Sequence, residues 1–331
     1  MKKFAVPVIA VILLTASIIS AQETINFTTF LNMNDNCYGM AYANNGRFIF
    51  SSGGGTNMGN SFLRTVTAYD PANDTWKVLA QGLVPRRYHN MEYVPSLNKI
   101  FIFNGEYSQD KSFTLNSTLY AIRRSKIKFT DIIDVIDLNK NEITTLSSIP
   151  YPVMHAGSAV WNNKIYVFGG WNPMGYTDKV YEYDPAKDDW NELDEMPEEM
   201  QTTGTIVDGV IYTFGGLGDA GEVKAIYAYN IKDEKWNKVG ELPVSVDGCA
   251  VTTDGKNIWL VGSKANTNFI AMFDTASKIL KVLNSNMIGR MDAGAQVIGK
   301  SLIIFGGLQN ENSKSALNNT QSADISKYIQ K

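Results

Sequence analysis

The sequence predicts an all-β fold of six similar units, each a four-stranded antiparallel sheet. The first observation is a hydrophobic run that ends six times in a glycine pair or a worn copy of it. The copies are Gly53-Gly54, Asn104-Gly105, Gly169-Gly170, Gly215-Gly216, Gly262-Ser263 and Gly306-Gly307. Their first residues lie 51, 65, 46, 47 and 44 positions apart, a spacing that marks a repeated supersecondary unit. The second observation is a recurring aromatic pair. Tyr69 and Trp76, Tyr183 and Trp190, and Tyr229 and Trp236 are each seven residues apart, and Ile136/Ile143 and Phe273/Leu280 keep that spacing without the tryptophan.

Residues 1–21 stand apart from these units. Lys2 and Lys3 precede an uncharged apolar run from Phe4 to Ile19, and Ser20-Ala21 leads to Gln22. This predicts a secretory signal peptide cleaved after Ala21, and hence an exported chain, periplasmic or secreted, of bacterial type. No later segment is apolar enough to span a membrane. Without Lys2 and Lys3 the mature chain, 22–331, has 28 basic and 33 acidic residues, a net charge of −5. That balance excludes the basic footprint of a nucleic-acid binder. The two cysteines, Cys37 and Cys249, fall in units one and five, so two unpaired thiols are expected.

The third unit shows the strands most clearly. Ala156–Val160 is one strand, Asn162-Asn163 a turn, and Lys164–Phe168 a second strand rich in β-branched and aromatic residues. Gly169-Gly170 ends it where a bend or a close backbone approach calls for a small residue. In Lys179–Asp184, Tyr181 and Tyr183 share one face and Glu182 takes the other, which is strand periodicity. Trp190 opens the fourth strand.

Paired glycines, then Tyr-Asp-Pro, then Trp resemble the kelch family over nearly the whole mature chain. The resemblance implies a six-bladed β-propeller with a central channel. The fourth-strand pattern Trp190-x-x-Leu193-x-x-Met196 is missing from the C-terminal unit, whose third strand is expected near Ser322–Tyr328. It recurs at the front as Phe27-x-x-Phe30-x-x-Met33. Residues 25–33 are therefore expected to complete blade six and cover its exposed edge. Blade two carries an insertion around 108–130 that includes the basic cluster Arg123–Lys128. It is either a solvated loop or hairpin, or a loop reaching over the channel mouth.

Catalytic signatures are sparse. Gly216-x-Gly218-x-x-Gly221 matches a dinucleotide motif by letter, but a strand follows where that motif needs a helix. No nucleophile elbow or HExxH pair is present. His89 and His155, the only histidines, are placed at the same point of their repeats, just before the first strand. A copper centre of the galactose-oxidase type needs two histidines, tyrosines and a cysteine together, and the cysteine positions do not supply it. No metal or cofactor is expected.

The resemblance implies that ligands meet one face of the ring, at loops before the first strands and after the second. The candidate ligand-binding residues there are Arg86, Arg87, Tyr88, His89, Glu106, His155, Trp171, Gln201, Asp247, Arg290 and Asp292. Arginines at such a mouth hold carboxylates in a bidentate fork, and Tyr88 and Trp171 offer stacking surfaces. The leading expectation is a monomeric, non-catalytic module that binds a protein or glycan outside the cytoplasm. The alternative is a carbohydrate-active enzyme, because some exported bacterial kelch proteins are sialic acid mutarotases. Asn104-Gly105-Glu106 is similar to the setting of their glutamate. Their downstream arginine has no match here, only Lys111, so Glu106 and Arg87 are the catalytic candidates.

Overall fold

A computed structural model describes residues 23–56, 62–107, 128–147 and 149–329. The segment 1–21, read from sequence as a signal peptide, and most of the blade-two insertion lie outside the described residues.

Within them stand six four-stranded antiparallel sheets. The first sheet comprises Ala41–Asn44, Ile49–Ser52, Thr65–Asp70 and Thr75–Gln81. The second comprises Asn90–Val94, Lys99–Phe103, Ile132–Asp137 and Glu142–Ser147. Gly157–Trp161, Lys164–Phe168, Val180–Asp184 and Asp189–Leu193 form the third. The fourth uses Gly204–Val207, Val210–Gly218, Gly221–Asn230 and Lys235–Glu241. The fifth uses Ala250–Thr253, Asn257–Val261, Ile270–Asp274 and Ile279–Val282. First strands lie against one another in cyclic order, and Gly294–Ile298 of the sixth sheet packs on Ala41–Asn44 of the first.

The seven-residue aromatic spacing has a direct cause. Tyr69 and Trp76 are cross-strand partners, as are Tyr183/Trp190 and Tyr229/Trp236. Their ring centroids are 4.9, 4.6 and 5.0 Å apart, so each pair seals the outer half of a sheet. The Tyr69 hydroxyl donates to Asp74 and the Tyr183 hydroxyl to Asp188, which pins the intervening turn.

The glycine pairs join neighbouring sheets. The amide N–H groups of Gly54, Gly105, Gly170 and Gly307 donate to the carbonyls of Arg86, Val153, Met200 and Cys37, at 2.7–2.9 Å. Each acceptor belongs to the segment leading into the next blade. At Gly262, with φ +67°, an added Cβ would stand 2.0 Å from the Arg290 carbonyl oxygen. No side chain fits there, and the backbone uses the left-handed region that glycine enters freely.

The sixth sheet is Gly294–Ile298, Ser301–Phe305 and Thr320–Asp324, with Phe27–Phe30 as its outer strand. Phe27 pairs with Ala323 and Phe30 with Thr320. The third strand ends at Asp324, earlier than the sequence implied, and a short helix, Ser326–Ile329, follows. Thr24–Ile25 pairs in parallel with Asn284–Ser285 at the edge of the fifth sheet, and Glu23 is bridged to Lys281 and Lys327. On the other side, the Trp76 indole N–H donates to Thr320 Oγ1 at 3.1 Å and its ring meets Phe305 edge-on. The N-terminal segment and Trp76 therefore hold the last sheet from both sides.

Cys37 and Cys249 are free and buried, and burial pushes each thiol up to about 12. Gly216, Gly218 and Gly221 lie in a strand hairpin, with no helix after them.

A chain beginning at Asn36 lacks the outer strand and the buried Phe27 ring. Loss of a buried phenylalanine alone costs about 3–5 kcal/mol, so the truncated chain should melt well below the parent by circular dichroism. Equal melting temperatures would show that the outer strand contributes nothing to stability.

Candidate binding face at the channel mouth

The residue just before each left-handed turn at the mouth occupies one equivalent position in every blade. Short bridges define it: Tyr38 to Gly55, Arg87 to Glu106, Met154 to Trp171, Gln201 to Leu217 and Met291 to Leu308. In blade five the Lys264 N–H donates to the Asp247 carbonyl instead. The residues that follow are Gly39, Tyr88, His155, Thr202, Gly248 and Asp292. All but Thr202 adopt φ between 50° and 70°. For Tyr88, His155 and Asp292 this is a strained backbone, of the kind that clusters at functional positions.

The strain serves a backbone belt around the mouth. Tyr88 N–H donates to Gly39 O, His155 to Tyr88, and Thr202 to His155. Asp292 N–H donates to Gly248 O, and Gly39 N–H closes back onto Asp292 O. These bonds run from 2.7 to 3.1 Å and tie consecutive blades together.

The belt sets the side chains. Arg87 pairs with Glu106 and donates to the Tyr38 hydroxyl. Its guanidinium lies 4.8–5.5 Å from the ring centres of Phe62, Tyr88 and Tyr38. Tyr88 stacks on His155 at 4.0 Å, and burial pushes the imidazole down to about 4, so it is neutral at physiological pH. Across the mouth, Asp247 accepts from Gln201 Nε2 at 2.8 Å and from Lys264 Nζ at 2.7 Å. Trp171 and Asn172 form a small hairpin with Gly175–Tyr176, where the indole packs near Phe129.

Seven of the candidates therefore meet at the mouth: Arg87, Tyr88, Glu106, His155, Gln201, Asp247 and Asp292. Trp171 borders them on its hairpin. Three candidates do not belong there. Arg86 is 1% exposed, pairs with Asp134 at 2.8 Å and donates to the carbonyls of Asn104 and Ile132. Arg290 is 0% exposed and donates to Gly306 O, Ile288 O and Gln321 Oε1. Both guanidiniums satisfy backbone between sheets, so neither can fork onto a ligand carboxylate. His89 is buried against Ser52, 2.8 Å away, and burial holds its imidazole well below the ordinary range.

The two histidines are also not equivalent. The strand register aligns Asn90 with Gly157, so His155 matches Tyr88 and His89 matches Ala156. Tyr38 was missed from sequence, although it holds the same repeat position as Arg87. Glu92 was missed because its strand offers only alternation, with no sign of which face lines the channel. Among the described residues no group of three or more His, Cys, Asp or Glu side chains is placed to hold a metal ion.

A family model described as the KLHDC2/KLHL20/DRC7 Kelch-repeats domain matches residues 39–262. The chain belongs to the kelch-repeat family. It is 28% identical to Kelch-like protein 7 of Rattus norvegicus over 136 residues, 41% of this chain and 20% of that protein. Against Kelch-like protein 36 of Bos taurus it is 24% identical over 159 residues, 45% of this chain and 22% of the relative. Beta-scruin of Limulus polyphemus is 28% identical over 141 residues, 42% of this chain and 14% of its own length. The kelch chain thus spans about a fifth or less of these relatives. The match covers most of the mouth, from Gly39 through Asp247, and leaves Tyr38, Lys264 and Asp292 outside it.

Asp292 gives this kelch mouth a pH signature. Burial pushes its carboxyl up to about 6, partly offset by Lys264 and Arg87 and reinforced by Asp247. The native state therefore binds a proton more readily than the unfolded chain, whose aspartates titrate near 4. Stability falls as pH rises through about 4 to 6. Asp292→Asn keeps the left-handed turn and removes the charge. Its melting temperature should exceed the parent's at pH 8, with the gap closing toward pH 4. A gap that does not change with pH would contradict the assignment.

Proposed function

We propose that this kelch chain is an exported binding module that presents the channel mouth to a protein partner. The observation that carries the proposal is the belt-held cluster of Arg87, Tyr88 and His155, backed by the buried Tyr38 and facing Asp247, Gln201 and Lys264. It offers aromatic faces and polar groups on a rigid frame, the kind of surface on which binding residues concentrate. Export rests on the signal-peptide pattern of residues 1–21, with the mature chain beginning at Gln22. Among the described residues no helix is long and apolar enough to cross a membrane.

The charge balance defines the partner's chemistry. Arg87 is matched by Glu106 and Lys264 by Asp247, which leaves Asp292 in excess. The mouth therefore favours a neutral or basic segment over an acidic one. A glycan would use the same stacked Tyr88 and His155 faces.

A second reading, a sugar mutarotase, is favoured by one observation: Glu106 and Arg87, proposed from sequence as acid–base group and substrate anchor, stand in direct contact. Both are already matched to each other, and the excess negative charge disfavours a sugar acid.

One set of variants separates the readings. The mature chain, immobilised, should capture a partner from the cell envelope. Tyr88→Ala should weaken that capture at least tenfold, while Lys187→Ala on an outer turn leaves it unchanged. Equal capture by Tyr88→Ala would remove the mouth from the binding face. Anomer exchange of a sugar acid that is abolished in Glu106→Gln would replace the binding reading with the enzymatic one.

A further inference from the structure

Below the mouth, the first strands enclose a channel of about 370 Å³. Among the described residues its walls carry three carboxylates, Glu92, Asp247 and Asp292, and neither lysine nor arginine. Burial keeps both of its histidines, His89 and His155, neutral at physiological pH.

The three carboxylates differ in what compensates them. Asp247 is neutralised by Lys264 on the rim. Glu92 accepts a hydrogen bond from the Ser158 hydroxyl at 2.6 Å and, among the described residues, is in no ion pair. Asp292 is 9% exposed and lines the channel; its carboxylate takes no hydrogen bond among the described residues, and the charges of Lys264 and Arg87 only partly offset its burial. A buried carboxylate without a partner is costly, and a donor-bearing cation removes that cost.

The repeat register fixes their relative depth. Asn90 and Gly294 are equivalent first-strand positions, paired with Phe103 and Phe305. Glu92 lies two residues below that level and Asp292 two residues above it. The two positions are four residues apart along the wall, at most about 13 Å at 3.3 Å per residue, since Asp292 stands in a left-handed turn ahead of the strand.

We propose that the channel binds an elongated alkylammonium ligand, with one ammonium at Glu92 and a second positive group at Asp292. The spacing suits a linear polyamine such as spermidine, lying along the axis among the neutral Asn90, Ser158 and Tyr42 side chains. The same ammonium chemistry is available from a lysine side chain of a bound protein. Burial pushes Glu92 up to about 7 and Asp292 up to about 6, as expected for carboxylates short of counter-charge. The site shares Asp292 with the mouth, whereas Glu92 belongs to the channel wall alone.

Isothermal titration of the purified protein with spermidine, butylamine and a capped Gly-Lys-Gly peptide tests it, with sodium chloride at matched ionic strength as the blank. Spermidine should bind at least tenfold more tightly than butylamine. Glu92→Gln and Asp292→Asn, each checked for a cooperative melt, should each weaken spermidine binding at least tenfold. If the peptide binds more tightly than spermidine and loses affinity in Glu92→Gln, the site stands and the ammonium comes from a protein. Titration heats no larger than the salt blank for every amine, or amine affinities unchanged in both variants, overturn the proposal. Loss of partner capture with spermidine binding intact would count against the mouth reading alone.

Discussion

The structure depends on one repeated interaction at the channel mouth, a backbone N–H of one blade donating to a carbonyl of the blade before it. The belt through Gly39, Tyr88, His155 and Thr202, and from Gly248 through Asp292 back to Gly39, makes this contact five times. It requires left-handed backbone at five positions, of which only two are glycine. Strained backbone persists only where the surroundings over-determine it. Here the glycine pairs do so, because their amides donate to carbonyls in the segments leading into the next blade.

That constraint sorts the charges. Guanidiniums one position before the bridge, at Arg86 and Arg290, turn inward and satisfy carbonyls that the sheet ends leave open. The arginine at the bridge position, Arg87, turns toward the mouth and meets Glu106. Two adjacent arginines of the same type thus have opposite roles, set by strand register. The first strands carry small and polar residues such as Ser158 and Asn90 inward, so the channel stays open and bears Glu92 and Asp292, neither of which is in an ion pair among the described residues.

Much of the fold was legible in the sequence because its cues are local and repeated. Tyr183 and Trp190 announce a strand pair, and Gly169-Gly170 announces a strand end. The pattern Phe27-x-x-Phe30 pointed to an outer strand, and that segment pairs with Thr320–Asp324. The candidate site was legible only as a set of loops. A one-residue difference in register separates His155 at the mouth from His89 packed against Ser52 deeper in the channel wall, and single-letter spacing did not resolve it. Arg86 and Arg290 resemble surface ligands in sequence because nothing local reveals that backbone carbonyls surround them. Glu92 sits in an ordinary alternating strand, and only ring geometry tells which face is the channel.

Hydrogen exchange at single-residue resolution tests the belt most directly, at the amides of Gly39, Tyr88, His155, Thr202 and Asp292. If the belt holds the blades in register, these five amides should exchange only through global unfolding, as slowly as the inner strands. Exchange within minutes, with inner-strand amides still protected, would show that the mouth opens independently. The blades would then be held together by their cores alone.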